Sequence, residues 1–189
     1  IKFIKKEIKL GNQIFWVCPL IEESKKLDHS SAVKKSEYLN ELFPKQVFLL
    51  HGKTTIEEKE MILNKFLKNE FKILVSTTII EVGIDFPNAN VIIIENANKF
   101  GLSQLHQLRG RVGRGSKDSS CILMFKSNLS DNAKKRISIL KESNDGFKIS
   151  EEDMKLRGFG DILGFKQSGI KNFKLADPVH NHDLFISVS

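Results

Sequence analysis

Three arginines fall within six positions in Gln107-Leu108-Arg109-Gly110-Arg111-Val112-Gly113-Arg114-Gly115. The chain otherwise uses lysine for positive charge: of its 30 basic residues only Arg109, Arg111, Arg114, Arg136 and Arg157 are arginine. Such a cluster marks a place where a planar, two-pronged donor is wanted rather than a point charge. Arg111 and Arg114 are three apart and share a helical face or a loop edge. With glycines between them, two guanidiniums can approach a triphosphate and stabilise the charge on its transferring γ-phosphoryl. A solvated basic turn is the alternative, but it gives no reason for arginine alone, interleaved with glycine.

A second segment, Thr77-Thr78-Ile79-Ile80-Glu81-Val82-Gly83-Ile84-Asp85, follows an apolar run. Hydroxyls and backbone amides at the end of a strand suit a phosphate backbone. Gly83 permits close backbone approach, and the Asp85 carboxylate is placed to accept from a ribose hydroxyl. A capped strand-to-helix turn would carry the same residues, so this segment alone leaves both readings open. Gly52-Lys53-Thr54 resembles the end of a phosphate-binding loop, but Val47 stands where the first glycine of that pattern belongs. No complete pattern of this kind exists in the chain, and no Asp-Glu pair follows a strand to hold magnesium. The chain is therefore expected not to build a whole nucleotide site alone. No metal site is expected: Cys18 and Cys121 lie far apart in apolar runs, and His180-Asn181-His182 has no accompanying ligands.

The elements that position these groups alternate. Candidate strands are Ile14–Cys18, Val47–Leu50, Lys72–Ser76, Val91–Ile94 and Cys121–Phe125, continuous apolar runs of the kind found in strands buried on both faces. Helices are expected at Ile1–Ile8, at Ser36–Phe43 before Pro44, after the capping box Thr55-Ile56-Glu57-Glu58, and through Ser103–Leu108. Glu22–Lys35 lacks apolar periodicity and reads as surface loop. Strands alternating with helices predict an α/β fold with a mainly parallel sheet, whose ligands sit at the carboxyl ends of the strands. After Phe125 the pattern changes: Ala133–Glu142 reads as a helix, Asn144-Asp145-Gly146 as a turn, and Ser150 as the cap of a further helix reaching Leu156. A glycine-dense stretch follows. The boundary is placed near Ser127, giving a domain over 1–127 and a small helical and loop extension over 128–189.

Composition narrows the class. A chain of 189 residues that is 40% apolar and 28% charged, with a net charge of +7, is a folded globular protein with a bias toward polyanionic partners. No apolar run approaches the ~20 residues that cross a bilayer, and two widely spaced cysteines fit a reducing cytoplasm. The first residue, Ile1, lies inside an amphipathic pattern, as in a piece of a longer chain.

The two chemical segments, in this order and spacing, resemble motifs five and six of superfamily-two nucleic-acid translocases. The string Glu95-Asn96-Ala97-Asn98-Lys99-Phe100-Gly101-Leu102-Ser103-Gln104-Leu105-His106-Gln107-Leu108-Arg109-Gly110-Arg111-Val112-Gly113-Arg114-Gly115 narrows the resemblance to the RecG-type ATP-dependent DNA helicases and the related transcription-repair coupling factors. Val82 and His106 look more like the former. Leu156-Arg157-Gly158-Phe159-Gly160-Asp161-Ile162-Leu163-Gly164-Phe165-Lys166-Gln167-Ser168-Gly169 resembles the translocation motif shared by both.

The resemblance implies a second RecA-like motor lobe, a P-loop NTPase-like fold without the P-loop, followed by the translocation motif. ATP with magnesium would be held mainly by a first lobe that this sequence does not contain. Arg111 and Arg114 would be arginine fingers, with Gly83, Asp85 and Gln107 lining the nucleotide. His51, Gly52, Lys59, Thr77 and Thr78 would meet the DNA backbone. Arg157, Gly158, Gly160 and Gln167 would couple nucleotide state to DNA movement. Phe159 and Lys166 depart from the proline and arginine common there, losing a fixed φ and a bidentate donor. The implied partners are branched duplex DNA and the first lobe and wedge domain of the same parent, with no membrane, in a monomer of the bacterial nucleoid. The rivals are the coupling-factor lobe and a non-catalytic nucleic-acid-binding module on the same fold.

Overall fold

The computed structural model of the chain describes residues 1–19, 25–77, 86, 88–113, 118–125 and 129–157, and only the backbone of 25–31 and 157. Five strands, β1 (Gln13–Val17), β2 (Val47–Leu50), β3 (Ile73–Ser76), β4 (Ala89–Ile94) and β5 (Ser120–Leu123), form one sheet in the order β2-β3-β1-β4-β5. Every neighbouring pair is parallel. Trp16, in the central strand, stands opposite Val75 on one side and Ile93 on the other.

Side chains alternate across a strand, so the continuous apolar runs feed two cores. Phe15, Val17, Leu74, Ile92 and Ile94 face α3 (Ile56–Leu67), α4 (Leu102–Arg109), α5 (Asp131–Glu142) and α6 (Gly146–Arg157), meeting Phe66, Leu105, Leu140 and Ile149. Ile14, Trp16, Ile73, Val75, Val91 and Ile93 face α1 (Lys2–Lys9) and α2 (Lys25–Leu42), packing with Ile4 and Leu39. This is the expected α/β sheet covered on both faces.

Thr55 caps α3 as its sequence predicts: the Glu58 amide donates to Thr55 Oγ1 (3.3 Å) and the Thr55 amide to Glu58 Oε2 (3.1 Å). Two expectations are corrected. Residues 25–35 of the expected loop belong to α2, an 18-residue helix. Its apolar stripe is thin, with Ala32, Leu39 and the following Phe43 buried, so periodicity gave little signal. Ser150 does not cap α6, which begins a turn earlier: Asp145 Oδ1 accepts from the Phe147 amide (2.9 Å) and the Lys148 amide (3.4 Å). The expected turn residue is the cap itself.

Candidate nucleotide and nucleic-acid interface

All five strands run the same way, so the sheet has one carboxyl edge and one amino edge. His51 and Thr77 follow β2 and β3 directly and lie at the carboxyl edge. The His51 backbone amide donates to Thr54 Oγ1 (3.1 Å), and the Lys53 amide donates to His51 Nδ1 (3.1 Å). That acceptor role leaves the proton of a neutral His51 ring on Nε2. The result is a tight turn that exposes Gly52 and Lys53 and leads into α3, where Lys59 is half-buried. Thr77 is 5% exposed and its amide donates to Leu50 O (3.2 Å), so it offers little surface in this conformation.

The arginine segment lies elsewhere. α4 carries the chain back toward the start of the strands, and the Gly113 amide donates to the carbonyl of Ala89, the first residue of β4 (3.2 Å). The expectation that all the chemistry gathers at the carboxyl ends is thus corrected: Arg111 lies at the amino edge, just before the Gly113 amide that bonds the start of β4. Thr78, Gly83, Asp85, Arg114, Gly158, Gly160 and Gln167, with the departures Phe159 and Lys166, lie outside the described residues, as does the side chain of Arg157.

The clustered arginines, alike in sequence, separate by role. Arg109 donates through Nη1 to Leu140 O (2.5 Å) and through Nη2 to His106 Nδ1 (2.9 Å). Arg136 likewise donates to Phe100 O (2.7 Å). Both hold the fold together. Arg111 is half-buried, and among the described residues no hydrogen bond or ion pair engages its guanidinium. Gln107, one turn before it, is exposed. Gly113 holds φ at +76°, and a Cβ there would sit 2.3 Å from Ser119 Oγ, so the turn after Arg111 requires glycine.

Beside this segment a cavity of about 480 Å³ is lined by His106, Arg109, Val112, Ser119, Cys121 and Asn144. Burial lowers the His106 pKa, the Arg109 guanidinium lowers it further, and Asp145 opposes them. Burial pushes the Cys121 thiol up to about 11.

Sequence reasoning missed a cluster at the carboxyl ends of β1 and β4. Lys35 Nζ pairs with Glu95 Oε1 (2.7 Å) and lies 5.2 Å from the centre of the Trp16 ring. The Cys18 thiol approaches Glu95 Oε2 (3.8 Å) and is pushed up to about 12 by burial and by that carboxylate. No spacing links Lys35 to Glu95 in the sequence. Among the described residues no three His, Cys, Asp or Glu side chains converge as a metal site needs, and no helix is long and apolar enough to cross a membrane.

Residues 1–116 match the family described as "Helicase conserved C-terminal domain". The chain belongs to that helicase domain family. Residues 143–188 of this helicase domain chain match "ATP-dependent DNA helicase RecG, domain 3, C-terminal". It is 50% identical over 182 residues to the ATP-dependent DNA helicase RecG of Bacillus subtilis (strain 168), covering 95% of this chain and 26% of the relative. It is 49% identical over 178 residues to the RecG of Thermotoga maritima, covering 93% and 23%. A solved structure of RecG bound to a three-way DNA junction superposes with a TM-score of 0.73 at 43% identity, over 97% of this chain and 23% of that one. The helicase Lhr of Mycobacterium smegmatis, bound to single-stranded DNA and AMP-PNP, matches at TM-score 0.55 and 17% identity over 74% of this chain and 19% of that one, a likeness of fold alone. The helicase domain chain thus spans about a quarter of the length of the curated RecG relatives it matches.

Proposed function

We propose that the chain is the second motor lobe, with its translocation extension, of an ATP-dependent DNA helicase that remodels branched DNA such as stalled forks and recombination junctions. The observation that carries this reading is the likeness, at 43% identity over 97% of the chain, to a RecG whose structure holds a three-way junction. The curated relatives reported above are RecG helicases, and nothing among them favours the coupling-factor lobe. In this reading residues 1–127 form the lobe and 128–189 the extension.

Arg111 and Arg114 bring positive charge to a triphosphate held, with magnesium, mainly by the first lobe of the parent, while Gly83, Asp85 and Gln107 line the same cleft. The Arg111 guanidinium, uncommitted among the described residues, and the glycine turn at Gly113 suit a phosphate ligand in kind. His51, Gly52, Lys59, Thr77 and Thr78 meet the DNA backbone, with His51 and Gly52 at the opposite edge of the sheet and Thr77 reaching the DNA once its buried side chain is uncovered. Arg157, Gly158, Gly160 and Gln167 pass nucleotide state to DNA movement. The parent works as a monomer in the bacterial nucleoid, with its wedge domain on the junction.

The test compares the purified chain with the full-length parent. The parent is expected to hydrolyse ATP when fork DNA is added and to unwind the fork, and the isolated chain to do neither. Turnover by the isolated chain at the parent's rate, or a parent indifferent to DNA, overturns the reading.

A further inference from the structure

α4 ends where the arginine segment begins, and α6 ends at Arg157, where the translocation motif begins. One polar bond near the start of α4 joins these two helices directly, and a second at its end ties α4 to α5. Near its start the Ser103 hydroxyl donates to Asp153 Oδ2 of α6 at 2.6 Å, a short charge-assisted bond, and Asp153 is only 6% exposed. At its end Arg109 holds the carbonyl of Leu140 in the last turn of α5, the helix that precedes α6.

Apolar packing already joins these helices, through Leu102, Leu105 and Leu108 of α4 with Leu140 and Ile149. A carboxylate buried amid such packing adds desolvation cost, and an apolar pair of similar size would hold the helices at least as well. What a directional bond adds is register: one relative placement of α4 and α6 satisfies it, and a slide or rotation of either breaks it.

We propose that Ser103 and Asp153 are positioning residues, which make α6 follow α4 as the arginine segment responds to nucleotide and so deliver that movement to the segment beginning at Arg157. This deepens the motor-lobe reading and rests on it. Neither side chain is placed on nucleotide or DNA; both act through the helices they join.

The experiment uses the full-length parent and its Ser103→Ala, Ser103→Thr and Asp153→Asn variants. Three quantities are measured: DNA-stimulated ATP turnover, base pairs unwound per ATP, and Tm. Ser103→Ala is expected to keep turnover within about twofold while base pairs per ATP fall at least about fivefold, the lower end of ordinary coupling between sites. Ser103→Thr, which keeps the hydroxyl, is expected to restore the ratio. If Ser103→Ala fails to fold, Asp153→Asn reads the same split. An unchanged ratio overturns the proposal, as does a loss of turnover and unwinding in proportion to a lowered Tm. A parent with no DNA-stimulated turnover is a separate result: it removes the motor-lobe reading first, and this inference with it.

Discussion

At position 113 two constraints coincide: a φ of +76°, which L side chains rarely adopt, and a Ser119 side chain that would meet an added Cβ at 2.3 and 2.5 Å. Gly113→Ala is expected to destabilise the chain by about 2–4 kcal/mol, the sum of backbone strain and overpacking. Urea unfolding of Gly113→Ala alone and with Ser119→Gly checks this. The second substitution removes the clash but not the strain, so it should recover about half; a cost below about 1 kcal/mol for the single variant would sink the account. Gly110 carries no such demand, since a Cβ there makes only ordinary contacts at 3.6 Å. The sequence showed glycines interleaved with arginines but not which glycine the fold requires. Nor could it separate Arg109, tied to Leu140, from Arg111, because that difference arises only when α5 packs against α4.

Elements whose signal is local were legible. The strands follow from continuous apolar runs, and α3 from its capping box. α2 was hidden because much of its length is polar, so its helical state owes more to the sheet it lies on than to a stripe of its own. The start of α6 was hidden because Asn-Asp-Gly suits a turn as well as a cap. The joint between α4 and α5 carries a prediction of its own. His106 Nδ1 accepts a hydrogen bond from Arg109 Nη2, and the folded pKa of the ring lies below the ordinary 6.5. A histidine held below its unfolded value stabilises the fold while neutral; that contribution is whole above pH 6.5 and is lost as acid protonates the folded ring. Between pH values of about 7.5 and 5.5 the urea midpoint should therefore fall more for the native chain than for His106→Gln. Parallel falls in the two would show that the ring is not responsible.

For the whole molecule, the separation of the two edges decides what a substitution disturbs. Arg111 sits at the amino edge and His51 at the carboxyl edge, with the length of the strands between them. In the full-length parent, Arg111→Ala is expected to lower ATP turnover about a thousandfold or more, as removal of an arginine finger does. Affinity for fork DNA should change less than about threefold, since distant sites act independently. Steady-state turnover and fluorescence anisotropy read the two separately, and a matching loss of both would place Arg111 on DNA. The all-parallel sheet has another consequence, for biosynthesis. β1 is the centre of the sheet, yet its partners are β3 and β4, and Ile14 cannot meet Ile73 until β3 has been made. Roughly 60 residues of translation separate them, about 3–12 s at ribosomal speed, during which β1 lacks both of its partner strands. The apolar run Ile14–Val17 therefore leaves the ribosome before either of its partner strands, and its burial in the sheet waits on the order in which this topology is synthesised.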